Sequence, residues 1–130
     1  MKQDPVPCEK ANMNDTSGIR RITEKIKKFR DERDWKQFHN HKDVALSLVL
    51  EAAEVLEHFQ WKKPEEVDSH AAACKGDIAD ELADVAIYLF ELADNLGIDL
   101  PEAIDSKMKK NALKYPVEKA KGRHAKYDQF

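Results

Sequence analysis

Several things are scarce in this chain of 130 residues, and each scarcity closes off an explanation. Cysteine occurs twice, at Cys8 and Cys74, far apart and without metal-type spacing, so neither a disulfide framework nor a thiolate centre is expected and both read as reduced cytoplasmic thiols. No apolar stretch reaches the roughly 18 residues that span a bilayer, and the opening MKQDPVPCEK lacks the apolar run of a secretory signal. Charge of one sign is missing too. Against 25 acidic residues stand 22 basic ones, a net charge of −3, with none of the basic field that a binder of nucleic acid polymers uses. Any anionic ligand must therefore be held locally. Internal repeats and low-complexity segments are absent, and the length allows one domain.

What is present is helix. With 42% apolar and 36% charged residues, the composition suits a soluble helical domain. Residues 1–15, with Asp4, Pro5, Pro7, Asn12 and Asn14, read as a leader with little to bury; Asp15, Thr16 and Ser17 are cap candidates for the helix that follows. Ile19, Ile22, Ile26 and Phe29 then keep helical spacing to about Arg33, and the charges from Lys25 to Glu32, Arg30 among them, read as a solvated face. Arg33 to His41 is short and aromatic, a connecting loop or a single turn. Trp35 and Phe38 have two readings there, core plugs at a helix junction or a stacking platform for a planar ligand.

The second helix is expected from near Asp43 to Phe59 and the third from near Asp77 to Leu96, closed by Gly97. Between them SHAAACKG, Ser69 to Gly76, has no clear period, either a helix extension or a loop. Asp99 and Pro101 start a fourth helix that Pro116 ends. The expected domain is 16–116, all-α, followed by a basic, weakly patterned tail over 117–130 that is expected to lie on the surface or to be disordered.

Two helices carry acids where burial should forbid them. On the second, Ser47, Glu51, Glu54 and His58 form one polar stripe between the flanks Val44, Leu48, Val55, Leu56, Phe59 and Leu46, Val49, Leu50, Ala53. On the third, Asp77, Glu81, Asp84, Tyr88 and Glu91 do the same. Side chains three apart on a helix are neighbours, about 5–6 Å apart at Cβ. Packed antiparallel, the helices would gather Glu51, Glu54, Glu81 and Asp84 into one cluster. Flanks that are apolar on both sides predict burial on both sides, and buried carboxylates need neutralising. Either a metal ion or an interhelical salt-bridge network would serve. Oxygen ligands without Cys or a suitably spaced His favour Mg²⁺, Mn²⁺ or Ca²⁺ over zinc. A di-iron site would want Glu-x-x-His, whereas Glu54 is followed by Glu57 and Glu81 by Asp84. Mg²⁺ is commonly shared with substrate phosphates, which points to phosphate-ester chemistry.

Glu-x-x-Glu and Glu-x-x-Asp on successive helices resemble the all-α nucleoside triphosphate pyrophosphohydrolases of the MazG-like superfamily. ERDW at Glu32 to Trp35, Phe38-His39, EAAEVLEHFQW at Glu51 to Trp61, DELADVAIYL at Asp80 to Leu89 and KMKKNALKYP at Lys107 to Pro116 resemble its single-domain dCTP pyrophosphatase branch, over about Ile19 to Lys121. The resemblance implies Mg²⁺-dependent hydrolysis of dCTP or a modified pyrimidine deoxynucleotide to the monophosphate and pyrophosphate, with Mn²⁺ as an alternative ion. It implies metal and catalytic roles for Glu51, Glu54, Glu81 and Asp84. It places Trp35, His39, Trp61 and Tyr88 around the base and sugar, and Lys107, Asn111 and Tyr115 at the phosphates. It further implies a four-helix protomer assembling as a dimer or, preferentially, a tetramer, with no nucleic acid polymer or membrane as partner. SHAAACKG matches none of these motifs. The competing reading is a non-enzymatic helical interaction module whose acids pair with Lys107, Lys109 or Lys110.

Overall fold

The computed structural model describes residues 17–130. The leader read over 1–15, with Cys8, and the cap candidates Asp15 and Thr16 lie outside the described residues. Within them the chain is all-α, with no strand: α1 Ser17–Asp31, α2 His41–Glu57, α3 Val67–Ala73, α4 Lys75–Asn95, α5 Leu100–Lys114 and the short α6 Val117–Ala120. Among the described residues no helix is long and apolar enough to cross a membrane.

Helix α1 ends two residues earlier than its spacing predicted. Asp34 takes the left-handed conformation, φ 53°, and the Trp35 amide donates back to the Arg30 carbonyl at 3.1 Å, which reverses the chain. A single 3₁₀ turn, Lys36–Phe38, leads to α2. The cap there is Asn40 rather than Asp43. Its side-chain oxygen accepts from the Asp43 amide at 2.9 Å, and Asp43 serves instead as the first-turn acid that complements the helix dipole.

After α2 the chain turns at Pro64–Glu66, where the Glu66 carboxylate accepts from the Lys63 amide at 2.8 Å. The unperiodic stretch SHAAACKG proves to be helical on both sides of Cys74, finishing α3 and opening α4. Asp77 accordingly sits in the first turn of α4 and does not cap it. His70 packs its ring edge-on to Phe59, centroids 6.2 Å apart, which fastens α3 to the end of α2. Gly97, at φ 67°, closes α4 by donating to Asp94 O while Ile98 donates to Ala93 O at 2.8 Å, the paired bonds of a Schellman motif. Asp99 then caps α5, accepting from the Glu102 amide at 3.1 Å.

The packing is dominated by α2 against α4, with α1 laid on α4; α5 touches the other long helices only sparsely. The seam of α2 runs along Val44, Leu48, Glu51 and Val55, all buried or half-buried. Outside that seam the expectation of burial on both flanks does not hold within one chain. Leu46, Val49, Leu50 and Leu56 of α2 and Leu82 and Leu89 of α4 are exposed, because a single facing helix covers one flank and leaves the other open. The tail has more order than its composition suggested: Tyr127 and Phe130 each pack edge-on to Tyr115 at 5.9 Å.

Candidate active site

The pairing of α2 with α4 brings three of the four singled-out acids together. Glu51, Glu81 and Asp84 each offer an oxygen, and these oxygens lie within 4.8 Å of one another; all three residues are half-buried. Glu51 sits in the seam because Leu48 and Val55, one turn to either side, drive that face of α2 against α4. Glu54 is more exposed and stands outside the tight set. It remains close enough to raise the proton affinity of both Glu51 and Glu81.

The electrostatics show a site short of positive charge. Burial, followed by repulsion from Glu54 and Asp84, holds the Glu51 carboxyl above its ordinary range. Glu81 is pushed up to about 7, first by hydrogen-bonding contact with Glu54, then by burial and by the charges of Glu54, Glu51 and Asp84. Among the described residues no lysine, arginine or histidine forms an ion pair with any of the four acids. The salt-bridge network with Lys107, Lys109 or Lys110 is therefore not formed within these residues.

The residues fit a divalent cation. Hard oxygen donors are what Mg²⁺ and Mn²⁺ take, and oxygens opposite each other on an ion at about 2.1 Å stand about 4.2 Å apart, a span three carboxylates within 4.8 Å reach by small rotations. The raised proton affinities identify the uncompensated charge such an ion would meet.

The remaining candidates fall in three places. Trp35 and His39 adjoin each other beside the end of α1, ring centroids 6.4 Å apart, with Trp35 half-exposed and edge-on to Phe29 at 5.9 Å. Phe38, at 63% exposed, is no core plug either. Tyr88 lies one turn beyond Asp84 on α4, half-buried, while Trp61 follows α2 and is 84% exposed. Lys107 and Asn111 are exposed on α5, and Tyr115 is held by the aromatic tail. Among the described residues α5 makes few contacts with α2 and α4, the helices that carry the carboxylates.

One pair was missed. Arg30, read as part of a solvated face, is 3% exposed, and its Nη1 donates to the Glu91 carboxylate at 3.3 Å and to Asn95 at 3.4 Å, with Nε on Asp31 at 2.9 Å. Burial opposes the Arg30 charge, but the hydrogen bonds to Asp31 and Glu91 outweigh it. The signal was there in spacing: Thr23, Lys27 and Arg30 share a face of α1, and Glu91 continues the acidic stripe of α4.

The sequence profile of the MazG-like family matches residues 46–130. The chain belongs to the MazG-like family. Among curated relatives, dCTP pyrophosphatase 1 of Mus musculus is 45% identical over 101 residues, covering 76% of this chain and 59% of the mouse protein. The Homo sapiens dCTP pyrophosphatase 1 is 40% identical over 104 residues, covering 78% and 61%. The chain thus spans about three-fifths of the length of these relatives. A solved pyrophosphatase of Archaeoglobus fulgidus superposes with a TM-score of 0.73 at 39% identity, over 76% of this chain and 93% of that one. The MazG-like assignment carries the fold; the carboxylate cluster lies inside the matched span.

Proposed function

We propose that the protein hydrolyses a nucleoside triphosphate to the monophosphate and pyrophosphate with Mg²⁺, acting on dCTP or modified pyrimidine deoxynucleotides in the cytoplasm. The observation that carries this reading is the convergence of Glu51, Glu81 and Asp84 from two helices, with no basic side chain among the described residues in an ion pair with them. MazG-like membership and relatives bearing the name dCTP pyrophosphatase 1 support it. Bound Mg²⁺ would polarise the phosphates, offset their charge and lower the pKa of water; Mn²⁺ would serve likewise.

The chain's own residues divide the remaining work. Glu51, Glu81 and Asp84 hold the ion, and Glu54 beside them is available as a fourth ligand or as the acceptor of the proton from the water that attacks the α-phosphorus. Trp35, His39, Trp61 and Tyr88 take the base and sugar. Lys107, Asn111 and Tyr115 take the outer phosphates, which requires α5 to reach a site beyond its own chain's contacts. The exposed apolar flanks of α2 and α4 favour such an assembly, a tetramer before a dimer.

Phosphorus NMR of dCTP digested with Mg²⁺ tests the reaction. The reading predicts dCMP and pyrophosphate from wild type and neither from Glu51→Gln; dCDP with orthophosphate, or no turnover of any triphosphate by folded protein, would refute it. Pairing Glu51→Gln with Glu54→Gln separates the two roles of Glu54. Loss of turnover with retained Mg²⁺ binding in Glu54→Gln identifies the proton acceptor, and loss of both identifies a ligand.

A further inference from the structure

The last turn of α5 has little apolar packing to hold it. Leu113 is 85% exposed and Val117, just past the helix, 70%, and among the described residues α5 makes few contacts with the other long helices. Tyr115, whose amide donates to the Asn111 carbonyl at 2.8 Å, closes the final turn, because Pro116 has no amide hydrogen to continue it. A helix end of this kind frays unless something fastens it.

Residues 117–130 supply the fastening. After α6, Lys121 and the left-handed Gly122, φ 71°, make a type II turn that the Arg123 amide closes on the Ala120 carbonyl at 3.1 Å, and the chain comes back to the end of α5. Tyr127 and Phe130 each meet the Tyr115 ring edge-on, centroids 5.9 Å away at 86° and 85°. Cations pin those two rings in turn. Lys114 Nζ lies 5.0 Å and Lys126 Nζ 5.9 Å from the centre of the Tyr127 ring, and the Arg123 guanidinium lies 5.3 Å from the centre of Phe130. Lys114 belongs to α5 itself, so the returning chain grips the helix at two adjacent residues, Lys114 and Tyr115.

We propose that residues 117–130 are a strap in which Tyr127 and Phe130 act as positioning residues, setting the Tyr115 ring and the turn from Asn111 to Tyr115 in place for the outer phosphates of the triphosphate. The inference rests on the pyrophosphohydrolase reading for the roles of Asn111 and Tyr115, and adds what holds them. Four residues apart, the two share a face of the helix, so fixing one fixes the other. A ring that is already held loses less freedom when the ligand arrives. The outer phosphates are gripped in the bound substrate and in the transition state alike, so the strap acts on KM and leaves kcat near wild type.

The test measures kcat and KM for dCTP with Mg²⁺, and calorimetric binding of Mg²⁺ alone and of inorganic tripolyphosphate with Mg²⁺, in wild type, Tyr127→Leu/Phe130→Leu and Tyr127→Phe. In the double variant KM should rise about ten-fold and tripolyphosphate should bind about ten-fold more weakly, with kcat within about two-fold and Mg²⁺ binding unchanged. Tyr127→Phe keeps the ring and should match wild type. A folded double variant with wild-type KM, a fall in kcat at unchanged KM, weakened binding of Mg²⁺ alone, or Tyr127→Phe as impaired as the double variant would overturn the proposal. If the double variant does not fold, Phe130→Leu decides: KM should rise about three-fold, and an unchanged KM overturns the strap. A wild type that releases pyrophosphate from no triphosphate refutes the reaction instead. Tripolyphosphate bound more weakly by the double variant than by wild type would then still support the strap, and binding equal in both, or absent from both, would overturn it as well.

Discussion

The acidic stripe of α4 is treated in opposite ways at its two ends. Near Asn95, Glu91 is buried to 2% and meets Arg30 and His39. Toward its other end, Glu81 and Asp84 face acids of α2, Glu51 and Glu54, and among the described residues no basic side chain pairs with them. The spacing along the helix is the same at both ends; the partner helix differs. Helix α1 reaches the first end with a guanidinium, while α2 reaches the second with carboxylates. An acid supplied with an internal cation holds helices together, and a set of acids denied one is ready to take a cation from solution.

Breaking either end should have a distinct signature. The largest expected effect is on chemistry: Glu51→Gln or Glu81→Gln should lower pyrophosphate release by about a thousand-fold or more, on the scale of roughly 4 kcal/mol lost when a main electrostatic contributor is removed. The same variants should be no less stable without metal, since they relieve repulsion. At the other end the effect is on folding. Arg30→Ala should cost about 3–5 kcal/mol in urea unfolding by stranding Glu91, and Arg30→Met combined with Glu91→Leu should recover most of that loss.

Metal sharpens the contrast. Mg²⁺ at a hundred times its dissociation constant should stabilise wild type by about 2.7 kcal/mol in thermal unfolding, and Glu51→Gln not at all. The smallest effect is on pH. With its folded-state pKa raised to about 7 from an ordinary 4.5, Glu81 binds more protons folded than unfolded between those values. Its contribution therefore favours the fold at low pH and is lost as pH rises toward 7. Unfolding midpoints of metal-free protein at pH 5, 6 and 7.5 should show that decline beyond what Glu81→Gln shows, and saturating Mg²⁺ should flatten it.

Helix content and the pairing of Glu51 with Glu81 and Asp84 were legible in the sequence, because period and three-residue spacing decide which side chains share a face. What spacing does not state is which face meets which neighbour. Arg30 was placed in solvent because its neighbours Lys28 and Glu32 are, yet Thr23, Lys27 and Arg30 share the face of α1 that lies on α4. The apolar flanks of α2 and α4 predicted burial, and within one chain Leu50 and Leu56 remain exposed; periodicity reads the need for a cover and not its source. The α2 cap shifted by a few residues for a local reason: Asn40, standing outside the first turn, accepts from the Asp43 amide and so places Asp43 inside the helix. Lys107, Asn111 and Tyr115 came from resemblance alone, and α5, which carries the first two and ends at the third, leans little on the other long helices.

The most direct test of the contrast is a calorimetric titration of Mg²⁺ into metal-free wild type, Glu51→Gln and Glu91→Gln at pH 7, repeated in two buffers of different ionisation enthalpy. The account predicts binding with proton release in wild type and in Glu91→Gln, and none in Glu51→Gln. Wild-type binding retained by Glu51→Gln, or lost in a folded Glu91→Gln, would contradict it.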